Sequence, residues 1–146
     1  MVVCLLSVAG CRHIDLQPPT NLAEPGWQQK QGFATWRFKK NSQAIAGELL
    51  VAVHNDGRYL IQFEKNPFPM VSVVKSLTHW NLAFPCFNKA YSGKGKPPDK
   101  TLWFFLVPAL ERKPLPGYIR FERQTGDAWQ LEHRGTGELL EGVIAP

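Results

Sequence analysis

Ile45-Ala46-Gly47-Glu48-Leu49-Leu50-Val51-Ala52-Val53-His54 runs into Asn55-Asp56-Gly57, and Arg58-Tyr59-Leu60-Ile61-Gln62-Phe63-Glu64 follows. Two alternating runs around Asp56-Gly57 read as a β-hairpin, because a two-residue hairpin turn needs positive φ and Asp-Gly supplies it. On the first run Ile45, Leu49, Val51 and Val53 share a face, while Glu48 and His54 point elsewhere by period two. On the second, Tyr59, Ile61 and Phe63 alternate with Leu60, Gln62 and Glu64. Strands of this length, each with one apolar face, call for an antiparallel sheet laid over a core.

The same texture extends both ways. Upstream, Gly32 to Phe38 reads as a first strand, closed by the polar turn Lys39 to Gln43. Downstream, Pro67-Phe68-Pro69 precedes a strand from Met70 to Val74, and Leu77 to Phe84 follows with Trp80, Leu82 and Phe84 on one face. Asn88 to Pro98 reads as a polar loop. The chain finishes as a meander of Tyr118 to Arg123, Trp129 to His133 and Glu138 to Ile144, with turns at Gln124-Thr125-Gly126-Asp127 and Gly135-Thr136-Gly137. Between loop and meander, Leu102, Phe105, Leu106, Ala109 and Leu110 fall at helical spacing, which predicts a helix near residues 99–112 with Asp99 as N-cap. Pro108 kinks that helix, and a buried strand ending near Val107 is the competing reading. About eight short strands with one helix make the chain mainly β with a minor α component: a curved antiparallel sheet or half-open β-barrel with one lid helix.

At 146 residues the chain is expected to form one domain. No apolar run approaches the ~20 residues of a membrane-spanning helix. The N-terminus carries a different signal. Leu6-Ser7-Val8-Ala9-Gly10-Cys11 reads as a bacterial lipobox, in which small residues precede a cysteine that takes an acyl chain. Residues 1–10 then form a lipoprotein signal that lacks the usual Lys or Arg, and residues 11–30, with Pro18-Pro19 and Pro25-Gly26, form a tether. The alternative for the start of the chain is a hydrophobic strand of a soluble protein. The folded domain is expected over residues 31–146, anchored through Cys11. Arg12 stands where many lipoproteins of Gram-negative bacteria carry a retention Asp, which points to the outer membrane, on its periplasmic face.

Motifs for catalysis and cofactors are sparse. The four histidines, His13, His54, His79 and His133, are too scattered for a metal site. Glu138 and Glu141, three apart in a strand, face opposite ways and make no catalytic pair. Ser92-Gly93-Lys94-Gly95-Lys96 lacks the spacing of a phosphate-binding loop. Of the three cysteines, Cys86 between aromatics reads as a small buried hydrophobe. A hydrolase would need Cys86 or Ser92 within reach of His79 or His133. No enzyme, metal or cofactor is expected.

Two features suit binding. The net charge of +5 favours anionic partners, and Lys89, Lys94 and Lys96 are candidate contacts for lipid headgroups. A nucleic-acid partner is not expected for an envelope lipoprotein. The aromatics are numerous for so small a domain, and Trp36, Phe63, Trp80, Leu82, Phe84, Trp103 and Phe105 are candidates to line an apolar lumen. Trp103, Phe104 and Phe105 in succession cannot all face one sheet, so at least one must find another apolar surface, and the segment from Leu102 to Leu110 is expected to cover such a lumen.

Taken together, the lipobox ending in Cys11, the strand Gly32 to Phe38, the hairpin at Asp56-Gly57 and the apolar segment Leu102 to Leu110 before a final meander resemble the outer-membrane lipoprotein carriers and acceptors of the Lol type. That resemblance implies a half-open barrel lined by apolar side chains and lidded by helix, receiving the acyl chains of lipoproteins. The helical N-terminal segment of those acceptors has no counterpart in the proline-broken residues 17–30. The expected role is an acyl-chain or apolar-ligand binder in lipid or lipoprotein traffic; the alternative is a non-catalytic envelope scaffold with a filled core.

Overall fold

A computed structural model describes residues 20–145; Cys11, the lipobox and the first part of the expected tether lie outside the described residues. The hairpin that fixes the fold class is present as β2 (Ile45–His54) and β3 (Tyr59–Lys65), paired antiparallel from Glu48↔Glu64 to Val53↔Tyr59. Gly57 turns the chain at φ 95°, the positive value that the Asp-Gly reading required. Leu49, Val51, Ile61 and Phe63 are buried on one face of this pair.

Around it lie β1 (Trp27–Arg37), β4 (Phe68–Lys75), β5 (His79–Phe84), β6 (Lys89–Lys94), β7 (Ile119–Arg123), β8 (Ala128–His133) and β9 (Glu138–Ile144). They form one nine-stranded antiparallel sheet in the order β6-β5-β4-β3-β2-β1-β9-β8-β7, not closed into a barrel. Two strand boundaries depart from expectation. Residues 27–30, read as the end of a tether, open β1 and pair with β2 through Trp27↔His54 and Lys30↔Val51. Lys89 to Lys94, read as part of a polar loop, is the edge strand β6, in register with β5 from His79↔Lys94 to Phe84↔Lys89. Gly93 belongs in that strand for a packing reason: a Cβ there would come within 2.6 Å of Trp80 Cζ2 on the neighbouring strand.

The sheet is strongly curved. Trp36 on β1 and Phe84 on β5 are four strands apart, about 19 Å at ordinary spacing. Their rings nevertheless stack with centroids 5.8 Å apart, which only a sheet folded toward itself allows.

The chain leaves β6 at one edge and re-enters the sheet as β7 at the other, and α1 (Trp103–Leu110) makes the passage across the concave face. The helical reading therefore holds over the strand alternative, with Pro108 inside the helix. Asp99 is not its cap. Asp99 Oδ1 instead pairs with Lys96 Nζ at 2.9 Å, and the Leu102 amide donates to Glu138 Oε2 on β9 at 3.1 Å.

The expectation of an open lumen beneath the helix is corrected. Leu102, Trp103 and Leu106 are fully buried against the sheet, so the space under α1 is taken by its own side chains. The three successive aromatics do point in different directions: Trp103 packs on Trp36 and Phe63, Phe104 on Trp80, and Phe105 on Tyr118. A curved sheet offers walls on several sides of one helix, so these rings need no second surface. Among the described residues no helix is long and apolar enough to cross a membrane.

Candidate functional site

The interior accounts for much of the expected apolar lining. Trp36, Phe63, Leu82 and Trp103 are buried in the core. Trp80, Phe84 and Phe105 are partly buried and pack against that core. Trp36 is the hub, with Trp103 at 5.7 Å and Phe84 at 5.8 Å.

Trp36 and Phe84 also reach a cleft of about 400 Å³ at the end of the sheet where β1 and β5 finish and the chain approaches α1. Its aromatic lining is completed by Phe38, Phe87 and Tyr91, and its polar lining is Lys89, Lys100, Thr101, Thr136 and Glu138. The volume is within the ~300–1,000 Å³ of small-molecule sites, and a few polar groups converge on a mostly apolar wall, as such sites require.

The structure separates the three expected headgroup lysines. Pairing with Phe84 puts Lys89 on the concave face, where it lines the cleft. Lys94, an odd number of residues along the same strand, falls on the convex face. Lys96 is exposed and held by Asp99. Lys100, next to the helix entrance, joins Lys89 in the cleft instead.

Glu138 has no counterpart among the sequence-derived site residues. It opens β9 after the Gly135-Thr136-Gly137 turn and is only 7 % exposed. Oε1 accepts the Trp36 Nε1–H at 2.9 Å, and Oε2 accepts the Leu102 amide at 3.1 Å. Burial raises its pKa above the ordinary value, and the two donated hydrogen bonds and the neighbouring His133 oppose that rise. His133 beside it is fully engaged: Nδ1 accepts from the amides of Gly135 and Thr136, and Nε2 lies 3.1 Å from the Asp99 carbonyl oxygen, to which it donates. This network ties the β8–β9 turn, the end of β1 and the helix entrance into one wall of the cleft.

The nucleophile–base pairs that a hydrolase would need do not form. Cys86 is exposed, not the buried hydrophobe expected, because it sits in a single 3-10 turn, Pro85–Phe87, outside the sheet. Its thiol lies 3.2 Å from both the Pro69 carbonyl oxygen and the Met70 sulfur. His79 is bonded to Thr78 at 2.7 Å, and His133 is occupied as above. Ser92 lies within β6. No group of three or more His, Cys, Asp or Glu among the described residues is arranged to hold a metal.

A second polar cluster lies at the β2–β3 turn. Arg58 bonds Glu24 at 3.0 Å and Asp56 at 2.8 Å, and His54 Nδ1 lies 2.8 Å from Asp56. Arg58 also lies over the Trp27 ring at 5.5 Å. These contacts pin the start of β1 to the hairpin, and both carboxylates are held below their ordinary pKa by Arg58 and His54, against an opposing contribution from burial.

No protein-family model matches the chain, and no curated protein matches it in sequence.

Proposed function

We propose that the protein is a non-enzymatic envelope lipoprotein, anchored through lipid on Cys11 to the periplasmic face of the outer membrane. Its domain holds an acyl chain or other apolar ligand in the cleft between Trp36, Phe84 and Tyr91. The partners of this reading are the membrane and an acyl chain, free or carried by another lipoprotein; it involves no nucleic acid and no cofactor. The observation that carries it is the cleft itself: five aromatic side chains form its apolar wall, with Lys89 and Lys100 among its polar lining residues. That arrangement suits an amphiphile with an anionic head. The half-open sheet crossed by one buried helix supports likeness to the Lol-type carriers, with the difference that the ligand sits at the mouth because α1 fills the interior.

A scaffold role is the second reading, and the filled interior favours it. Phe33 and Val143, cross-strand neighbours and both at least half exposed, then offer an apolar contact on the convex face. Membrane extraction under native conditions separates the two. The binder reading predicts that wild-type protein pellets with membranes, that Cys11→Ser releases it, and that a lipid copurifies in near-stoichiometric amount. Soluble wild-type protein with residues 1–10 retained contradicts the anchor. Extraction with no copurifying lipid favours the scaffold.

A further inference from the structure

The floor of the cleft carries a buried carboxyl group, Glu138, that makes no ion pair among the described residues. Its two hydrogen-bond donors, Trp36 and Leu102, are neutral, and His133, its cross-strand partner, spends both ring nitrogens on the Gly135 and Thr136 amides and the Asp99 carbonyl. A buried carboxylate is costly unless it is paired as well as hydrogen-bonded. Each of its oxygens receives one N–H bond, so acceptor capacity remains on both. Glu138 shares the cleft with two ammonium groups, Lys89 and Lys100, and two hydroxyls, Thr101 and Thr136.

We propose that the cleft is built for a zwitterionic amphiphile, whose ammonium meets Glu138 while its phosphate is held by Lys89 and Lys100. A purely anionic head would satisfy the lysines but face the Glu138 charge at close range. A purely cationic head would meet the lysines. A head of both signs complements the whole polar lining, and the aromatic wall of Trp36, Phe84 and Tyr91 takes the chain. An aminoethyl phosphodiester lipid has this chemistry. The inference rests on the cleft being the ligand site and adds the head group to that reading.

The test compares two probes with one chain length: a medium-chain lysophosphatidylethanolamine and its N-acetylated form, which keeps the phosphate and loses the ammonium. Binding to the whole chain carrying Cys11→Ser is followed by tryptophan fluorescence below the micelle concentration. The zwitterion should bind about tenfold more tightly, the size expected of one charge-assisted contact. Glu138→Gln should erase the preference while keeping the N-acetylated probe bound, and Lys100→Gln should weaken both probes. Equal affinity for the two probes, or tighter binding of the N-acetylated one, overturns the role of Glu138 and leaves the cleft standing. Binding of neither probe overturns both readings. The comparison with Glu138 intact decides the matter even if Glu138→Gln fails to fold.

Discussion

The Tyr59 hydroxyl donates to the Phe104 carbonyl at 3.2 Å, and Pro108 is the reason that carbonyl is free. In an α-helix the amide four residues on would take it, and proline has none. Tyr59, on the hairpin strand β3, supplies the missing donor from across the core. Burial pushes its phenol pKa up, with a smaller contribution from Glu111, so the donor stays protonated at any ordinary pH.

Tyr59→Phe should therefore destabilise the domain by about 1–3 kcal/mol, the cost of a buried polar group losing its partner. Pro108→Ala restores an amide to the helix, so the same Tyr59→Phe change should cost roughly 1 kcal/mol less in that background. Urea melts of the four proteins in the cycle measure it. Additive effects would show that the hydroxyl does not substitute for the helical bond.

The end of α1 predicts a stabilising change. The Lys113 amide donates to Pro108 and the Arg112 amide to Ala109, and Arg112 adopts φ 57°. This is a Schellman stop with arginine in the left-handed position usually given to glycine. Arg112→Gly should raise stability by a few tenths to about 1 kcal/mol, the relief of left-handed strain less the added freedom of the unfolded chain. A loss of stability on thermal melting would mean that the Arg112 side chain holds the helix end.

Trp103 and Phe105 should differ in cost. Trp103 is fully buried between Trp36 and Phe63, so Trp103→Ala should cost about 3–5 kcal/mol. Phe105 is half-buried against Tyr118, and Phe105→Ala should cost clearly less. Equal losses in denaturant melts would place Phe105 in the core.

The sheet was legible because its central strands alternate apolar and polar residues over a positive-φ turn, and the positions at Leu49, Val51, Ile61 and Phe63 needed only period two. β6 was hidden for a physical reason. An edge strand is bonded on one side only, and Lys89, Ser92, Gly93 and Lys94 give it the composition of a loop while protecting the edge from other chains. Trp36 and Phe84 were legible as apolar, but their meeting depends on curvature, which leaves no local pattern. Glu138 was read only as half of an unproductive pair with Glu141. Its bond to Trp36 joins residues 102 apart, and no spacing in the sequence announces it. The space expected as a lumen under α1 is filled because the helix's own side chains, Leu102, Trp103 and Leu106, pack into the curve of the sheet, and how deeply a helix seats leaves no local pattern.

Glu138 also sets a pH trend. Its folded-state pKa lies above the ordinary 4.5, chiefly through burial. Its stabilising contribution is therefore full below that value and lost as pH rises through the folded pKa. The stability of wild type relative to Glu138→Gln should fall across that window, by chemical denaturation at a series of pH values. Glu24 and Asp56 have lowered pKa values and act in the opposite sense at lower pH, but both are present in each protein and cancel in the difference. A difference independent of pH would contradict a raised pKa at Glu138.

The most direct test of apolar binding at the mouth of the sheet is photo-crosslinking with a diazirine-bearing fatty acid, followed by peptide mapping. Label should appear on peptides containing Phe84 to Tyr91 and on the segment around Lys100 and Thr101, and unlabelled fatty acid should compete it away. Label confined to the convex face around Phe33 and Val143, or no competable label at all, would contradict the account.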